Sequence, residues 1–64
     1  MLLNDQIDEI VGSYSEMITL KKDGITVFHG SITSLKNNRK DLLCSELLEE
    51  LSFYVGKGYI GFLK

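Results

Sequence analysis

Residues 16–30, Glu-Met-Ile-Thr-Leu-Lys-Lys-Asp-Gly-Ile-Thr-Val-Phe-His-Gly, are two β-type runs on either side of Asp23-Gly24. Asp-Gly suits a two-residue type I′ turn, because both central positions need φ > 0 and these residues tolerate it best. Such a turn sets the pairing: Lys22 with Ile25, Leu20 with Val27 and Ile18 with His29. Ile18, Leu20, Ile25 and Val27 then gather on one face, and Met17, Thr19, Lys21, Thr26 and Phe28 on the other. A slip of one residue flips every side chain, so burial selects the register that keeps these sets apart.

The chain around this hairpin is short. At 64 residues it has room for one domain, 1–64, and a domain of that size hides only about 60% of the surface that its unfolded form exposes. The usual staples are missing: one cysteine makes no internal disulfide, and one Cys with one His cannot supply four zinc ligands. Extra burial is therefore expected from self-association, as a homodimer, or from a partner protein. The net charge of −2 and pI near 5.2 speak against a footprint that neutralises many phosphates. No apolar run approaches the roughly 20 residues needed to cross a bilayer, and the first residues lack the pattern of a secretion signal. A cytoplasmic protein without a membrane partner is expected, in keeping with one unpaired thiol.

Leu3, Ile7, Ile10, Val11 and Tyr14 recur at helical spacing and predict a helix over about 4–12, capped by Asn4 or Asp5 and stopped at Gly12-Ser13. Ser31 to Leu35 reads as a continuation of the second strand or a turn, and Lys36-Asn37-Asn38-Arg39-Lys40 as a polar loop. Asp41 offers an N-cap for a second helix. Residues 46–55 carry two patterns at once. Leu47, Leu48, Leu51, Tyr54 and Val55 form a helical stripe, while Leu51, Phe53 and Val55 alternate as in a strand. The reading adopted is a helix over about 41–49 followed by a hairpin over about 50–63; the rival is one longer helix to Val55. A two-residue turn at Gly56-Lys57 or Lys57-Gly58 would align Leu51, Phe53 and Val55 with Ile60 and Phe62 on the core face. The sum is an α+β fold in two layers: an antiparallel sheet of two hairpins, about 15–30 and 50–63, with both helices on one face.

If one sheet face is the core, the other displays Met17, Phe28, Tyr54, Tyr59 and Leu63. Met, Phe and Tyr bring large contact area for few lost rotamers, so these five are the expected protein-binding residues. The competing reading tucks some of them under a helix or loop. Lys36, Arg39 and Lys40 form a possible basic patch and the basis of an alternative, weak nucleic-acid binding; solvated charges are the simpler account. His29 is read as a surface or rim residue, with no carboxylate, cysteine or second His placed near it, and Cys44 as a buried structural thiol. There is no phosphate loop, no His-Glu metal motif and no nucleophile elbow. A non-enzyme with no cofactor and no metal is expected.

In cadence, the hairpin Leu-Lys-Lys-Asp-Gly-Ile-Thr-Val-Phe-His-Gly, the polar loop leading to Asp41-Leu42-Leu43 and the closing Gly-Tyr-Ile-Gly-Phe-Leu strand resemble the short α+β accessory proteins of bacteriophages and prophages of Gram-positive bacteria. The resemblance covers most of the chain and rests on rhythm and composition. It implies a protein that acts by binding, often by inhibiting or redirecting a host protein, and it carries over no functional residues. A module used purely for self-assembly is the third possibility.

Overall fold

The computed structural model describes residues 1–10, 12 and 16–64, without the side chain of Ile10. The elements run α1 (Leu3–Ile10), β1 (Met17–Lys22), β2 (Ile25–Ser31), α2 (Ile32–Asn38), α3 (Lys40–Leu43), β3 (Ser52–Tyr54) and β4 (Gly58–Leu63). Four strands form one sheet in the order β2-β1-β4-β3. The fold is α+β, with the two hairpins merged. They merge through a parallel pair: β1 runs alongside β4 from Ile18–Tyr59 to Lys22–Leu63, so the sheet is mixed rather than purely antiparallel. Parallel neighbours need a long crossover, and the helical segment between the hairpins provides it.

The first turn forms as its residues demand, with Asp23 and Gly24 at φ +53° and +78°. Lys22 pairs with Ile25 and Lys21 with Thr26, but then Leu20 faces Phe28, Thr19 faces His29 and Ile18 faces Gly30. Val27 is the extra residue of a β-bulge. An unbroken register would have put the His29 imidazole opposite Ile18, on the core face. The bulge replaces it there with Gly30 and brings Phe28 to the core side opposite Leu20. The Phe28 ring covers Gly30, where a Cβ would stand 3.2 Å from it. The expected grouping of Ile18, Leu20, Ile25 and Val27 is thus corrected: Ile25, beside the turn, is exposed, and Phe28 has joined the core.

After β2 the chain enters a helix where a strand end or loop was expected. Ser31 caps it, its Oγ accepting from the Ser34 backbone N–H at 3.1 Å. Ile32 and Leu35, one turn apart, are both fully buried. Residues 36–40 are therefore not a loop but the end of α2, the junction residue Arg39 and the start of α3.

The helix expected over 41–49 stops at Leu43 because the next residues bond elsewhere. Ser45 and Leu47 exchange backbone bonds with the amino terminus: Leu3 N–H donates to Ser45 O at 2.9 Å, and Leu47 N–H to Met1 O at 3.0 Å. Lys64 N–H donates to Glu46 O and Leu48 N–H to Phe62 O, which lays this segment along the end of β4 and buries Leu47. The amino-terminal helix starts at Leu3, one residue before the expected caps Asn4 and Asp5, and ends at Ile10. The expectations for Val11, Ser13 and Tyr14 fall outside the described residues.

The second hairpin closes with three residues, 55–57, not two. Lys57 N–H donates to Tyr54 O at 3.0 Å, and Gly56 takes φ +82°, the left-handed position that a type II turn requires. One extra loop residue shifts the register by one, so Phe53 pairs with Tyr59 and Ser52 with Ile60. Ile60 and Phe62 consequently leave the expected core face, and Tyr59, Gly61 and Leu63 take it alongside Ile18 and Leu20. The core is Leu3, Ile7, Ile18, Leu20, Ile32, Leu35, Leu47, Leu51 and Leu63, closed on one side by the sheet and on the other by the helices and the 45–51 segment. Gly61 lets this layer down onto the strand, because a Cβ there would meet the side chains of Leu51, Leu20 and Leu47.

Candidate protein-binding surface

Among the described residues the three helices lie on one side of the sheet, and none lies over the other face. Strand alternation and the pairings place on it Ser31, His29 and Thr26 from β2, Met17, Thr19 and Lys21 from β1, Ile60 and Phe62 from β4, and Ser52 and Tyr54 from β3. The β2 side is polar. Thr19 Oγ1 and His29 Nδ1 share a hydrogen bond of 2.8 Å, and His29 is exposed, at the surface position expected for it. The β4–β3 side is apolar. Met17 and Tyr54 flank Gly58, whose φ of +85° and lack of a side chain let it sit against the Met17 carbonyl. Phe62 lies level with Lys21 and Ile60 with Thr19. Among the described residues this face carries no carboxylate, and Lys21 is its one permanent charge.

The same corner carries apolar groups past the sheet edge. All three residues of β3 are exposed, with Phe53 at 53% and Tyr54 at 50%, and Val55 in the turn is 93% exposed. Phe53 leans edge-on against Tyr59, ring centroids 5.0 Å apart at 62°, a geometry that aromatic quadrupoles favour.

Of the five residues expected to bind, the structure brings Met17 and Tyr54 together on the open face. Phe28, Tyr59 and Leu63 lie on the opposite, helix-covered side: Phe28 and Tyr59 pack against the core, and Leu63 is 2% exposed. The bulge at Val27 moved Phe28, and the three-residue turn moved Tyr59 and Leu63. The turn also carried Phe62 to the open face; Phe53, opposite Tyr59 on the edge strand, and Val55, in the turn, are exposed although the sequence places both in the core. Gly56 followed by Lys57-Gly58 was the available signal, since a glycine two places after Tyr54 suits a longer turn as well as a two-residue one.

The expected basic patch does not assemble as a free cationic surface. Lys36 Nζ meets Asp8 Oδ1 at 3.0 Å, and Arg39 donates through Nε and Nη2 to both oxygens of Asp41 at 3.2 Å. The hydrogen bonds from Arg39 hold the Asp41 carboxyl below its ordinary pKa, and the same bond raises that of Arg39. Lys40 has no ion pair among the described residues. It lines a cleft of about 370 Å³ with Leu2, Asp5, Leu43 and Cys44, between the start of α1 and the α2–α3 junction. Cys44 is exposed there rather than buried: α3 ends one residue before it, so it falls on the cleft wall instead of a helix stripe facing the core. His29, the one imidazole, sits on the other side of the sheet and gives this thiol no base.

Among the described residues no three His, Cys, Asp or Glu side chains converge to hold a metal ion, and no helix is long and apolar enough to cross a membrane. Compared with protein-family models, curated proteins and solved structures, the chain matches none.

Proposed function

We propose that this protein is a non-catalytic protein–protein interaction module that binds through the corner formed by β3, β4 and the start of β1. The observation that carries the reading is the exposure of Met17, Phe53, Tyr54, Val55 and Phe62 on neighbouring strands and the turn between them. Large apolar side chains clustered in water usually mark a docking site, and aromatic groups of this kind dominate binding energy once they enter a partner's pocket. A partner of ordinary size covers about 800 Å² per side, close to a fifth of the 4004 Å² that this chain exposes. The resemblance to phage accessory proteins makes a host protein the natural target, inhibited or redirected by occupation of one of its surfaces. No comparable observation favours nucleic acid, since Lys36 and Arg39 already have carboxylate partners.

Tyr54→Ala and Phe62→Ala test the reading. Each is expected to weaken association, with another copy or with a captured partner, by about tenfold or more, while the melting temperature falls less for Tyr54→Ala, 50% exposed, than for Phe62→Ala, 39% exposed, and both variants keep the fold because neither side chain belongs to the core. Sedimentation at several concentrations and affinity capture from the source cell, run on both variants, supply the measurement. Unchanged binding in both assays refutes the proposed surface.

A further inference from the structure

We infer that the cleft between the start of α1 and the α2–α3 junction binds a small apolar zwitterion, a dipeptide with both termini free. Its volume of about 370 Å³ lies in the range of small-ligand sites, roughly 300–1,000 Å³. The two walls are fastened at both ends. Lys36 on α2 meets Asp8 on α1 at 3.0 Å, and beyond Cys44 the Leu3 N–H donates to Ser45 O at 2.9 Å. A cleft held in this way reorganises little to admit a ligand, which lowers the cost of binding.

The lining selects the chemistry. Leu2, 39% exposed, Leu43 and Cys44 give the cleft its apolar part, and covering them is the favourable term. Charge divides between the walls: Asp5 belongs to the amino-terminal wall and Lys40 to the other, and neither has an ion pair among the described residues. A simple anion suits Lys40 but brings like charge to Asp5, and a simple cation reverses the fault. One charge of each sign, at the two ends of an apolar body, satisfies both. In a free amino acid the two charges share one carbon and address a single wall, whereas in a dipeptide a peptide unit separates them. Asn4, half-buried in the same wall as Asp5, offers amide donors and an acceptor to that peptide unit.

Leucyl-leucine is the probe, titrated into the millimolar range and followed by amide NMR shifts. The shifts are expected at the cleft residues and not at Tyr54 or Phe62, and the bound probe should slow alkylation of Cys44, the single thiol, by the neutral reagent iodoacetamide. Acetylating the amino end of the probe, or amidating its carboxyl end, should each weaken binding about twofold to fivefold, the scale of an exposed ion pair. Lys40→Ala should lower the affinity for leucyl-leucine by the same factor and leave that for the amidated probe unchanged; Asp5→Asn should do likewise with the acetylated probe. Both positions are exposed, so the fold is kept. Tyr54→Ala, on the open sheet face, should change nothing here. Shifts that gather at the β3–β4 corner, a thiol that reacts as fast with the probe as without it, or equal binding of the capped and free probes overturns the inference, and none of these outcomes touches the reading of that corner as a protein interface.

Discussion

Gly58 and Gln6 show how single positions decide what this domain tolerates. Gly58 sits at φ +85° with the Met17 carbonyl where a Cβ would go, while Gly24 takes φ +78° with nothing within 4 Å. Left-handed φ alone costs an L-residue roughly 1–2 kcal/mol, and backbone cannot step aside as a side chain tip can. Gly24→Ala should therefore cost about 1 kcal/mol and Gly58→Ala at least about twice that, the difference appearing in chemical denaturation midpoints. Gln6 is 2% exposed, and its Oε1 has no hydrogen-bond partner among the described residues. An unpaired buried acceptor forfeits its hydration, so Gln6→Met, nearly equal in shape, should stabilise the fold by about 1 kcal/mol. A destabilised Gln6→Met would show that the amide holds a partner after all.

At the scale of elements, legibility followed how locally each one is specified. The β1–β2 turn was readable because Asp23-Gly24 encodes its own φ values, and the pairs next to it are those expected. The register beyond it was not, because the bulge answers to the core: it trades His29 for Gly30 opposite Ile18. α2 is not legible in the sequence because its seven residues hold only the apolar pair Ile32 and Leu35, too little periodicity against a strand-like Ile-Thr-Ser run. Its local signal is the capping serine, Ser31. The helix expected over 41–49 shrank to Lys40–Leu43 because residues 45–48 pair with Met1–Leu3 and the end of β4. At the α2–α3 junction Arg39 and Asp41 brace the bend, both exposed. Because the folded Asp41 carboxyl titrates below its unfolded value, its contribution is present above the unfolded pKa and disappears as the pH falls through the folded one. Solvent screening keeps it small. Arg39→Gln should leave thermal stability near neutral pH almost unchanged and remove a small part of the acid-induced loss, as read in melting curves taken between pH 2 and 7.

For the molecule as a whole, the arrangement of layers matters more than any motif. Three helices and the returning 45–51 segment crowd one face of a four-stranded sheet, and nothing in the described chain covers the other. Acidic Asp5, Asp8 and Glu9 lie in the helical layer, whereas the open face carries no carboxylate among the described residues. A domain this small gains proportionately from any added burial, and a partner or a copy on the β3–β4 corner would add it without new chemistry.

The Asp-Gly turn and apolar periodicity were enough by themselves to imply an α+β fold, two hairpins and an amino-terminal helix, because each follows from preferences within a few residues. Which aromatic side chains face solvent was decided only in three dimensions. Strand alternation has a period of two, so one bulged residue at Val27 exchanges the face of Phe28, and one extra turn residue at 55–57 those of Tyr59 and Phe62. The bulge answers to the core, which takes Gly30 rather than His29 opposite Ile18, and the turn register sets Gly61 beneath the side chains of Leu20, Leu47 and Leu51.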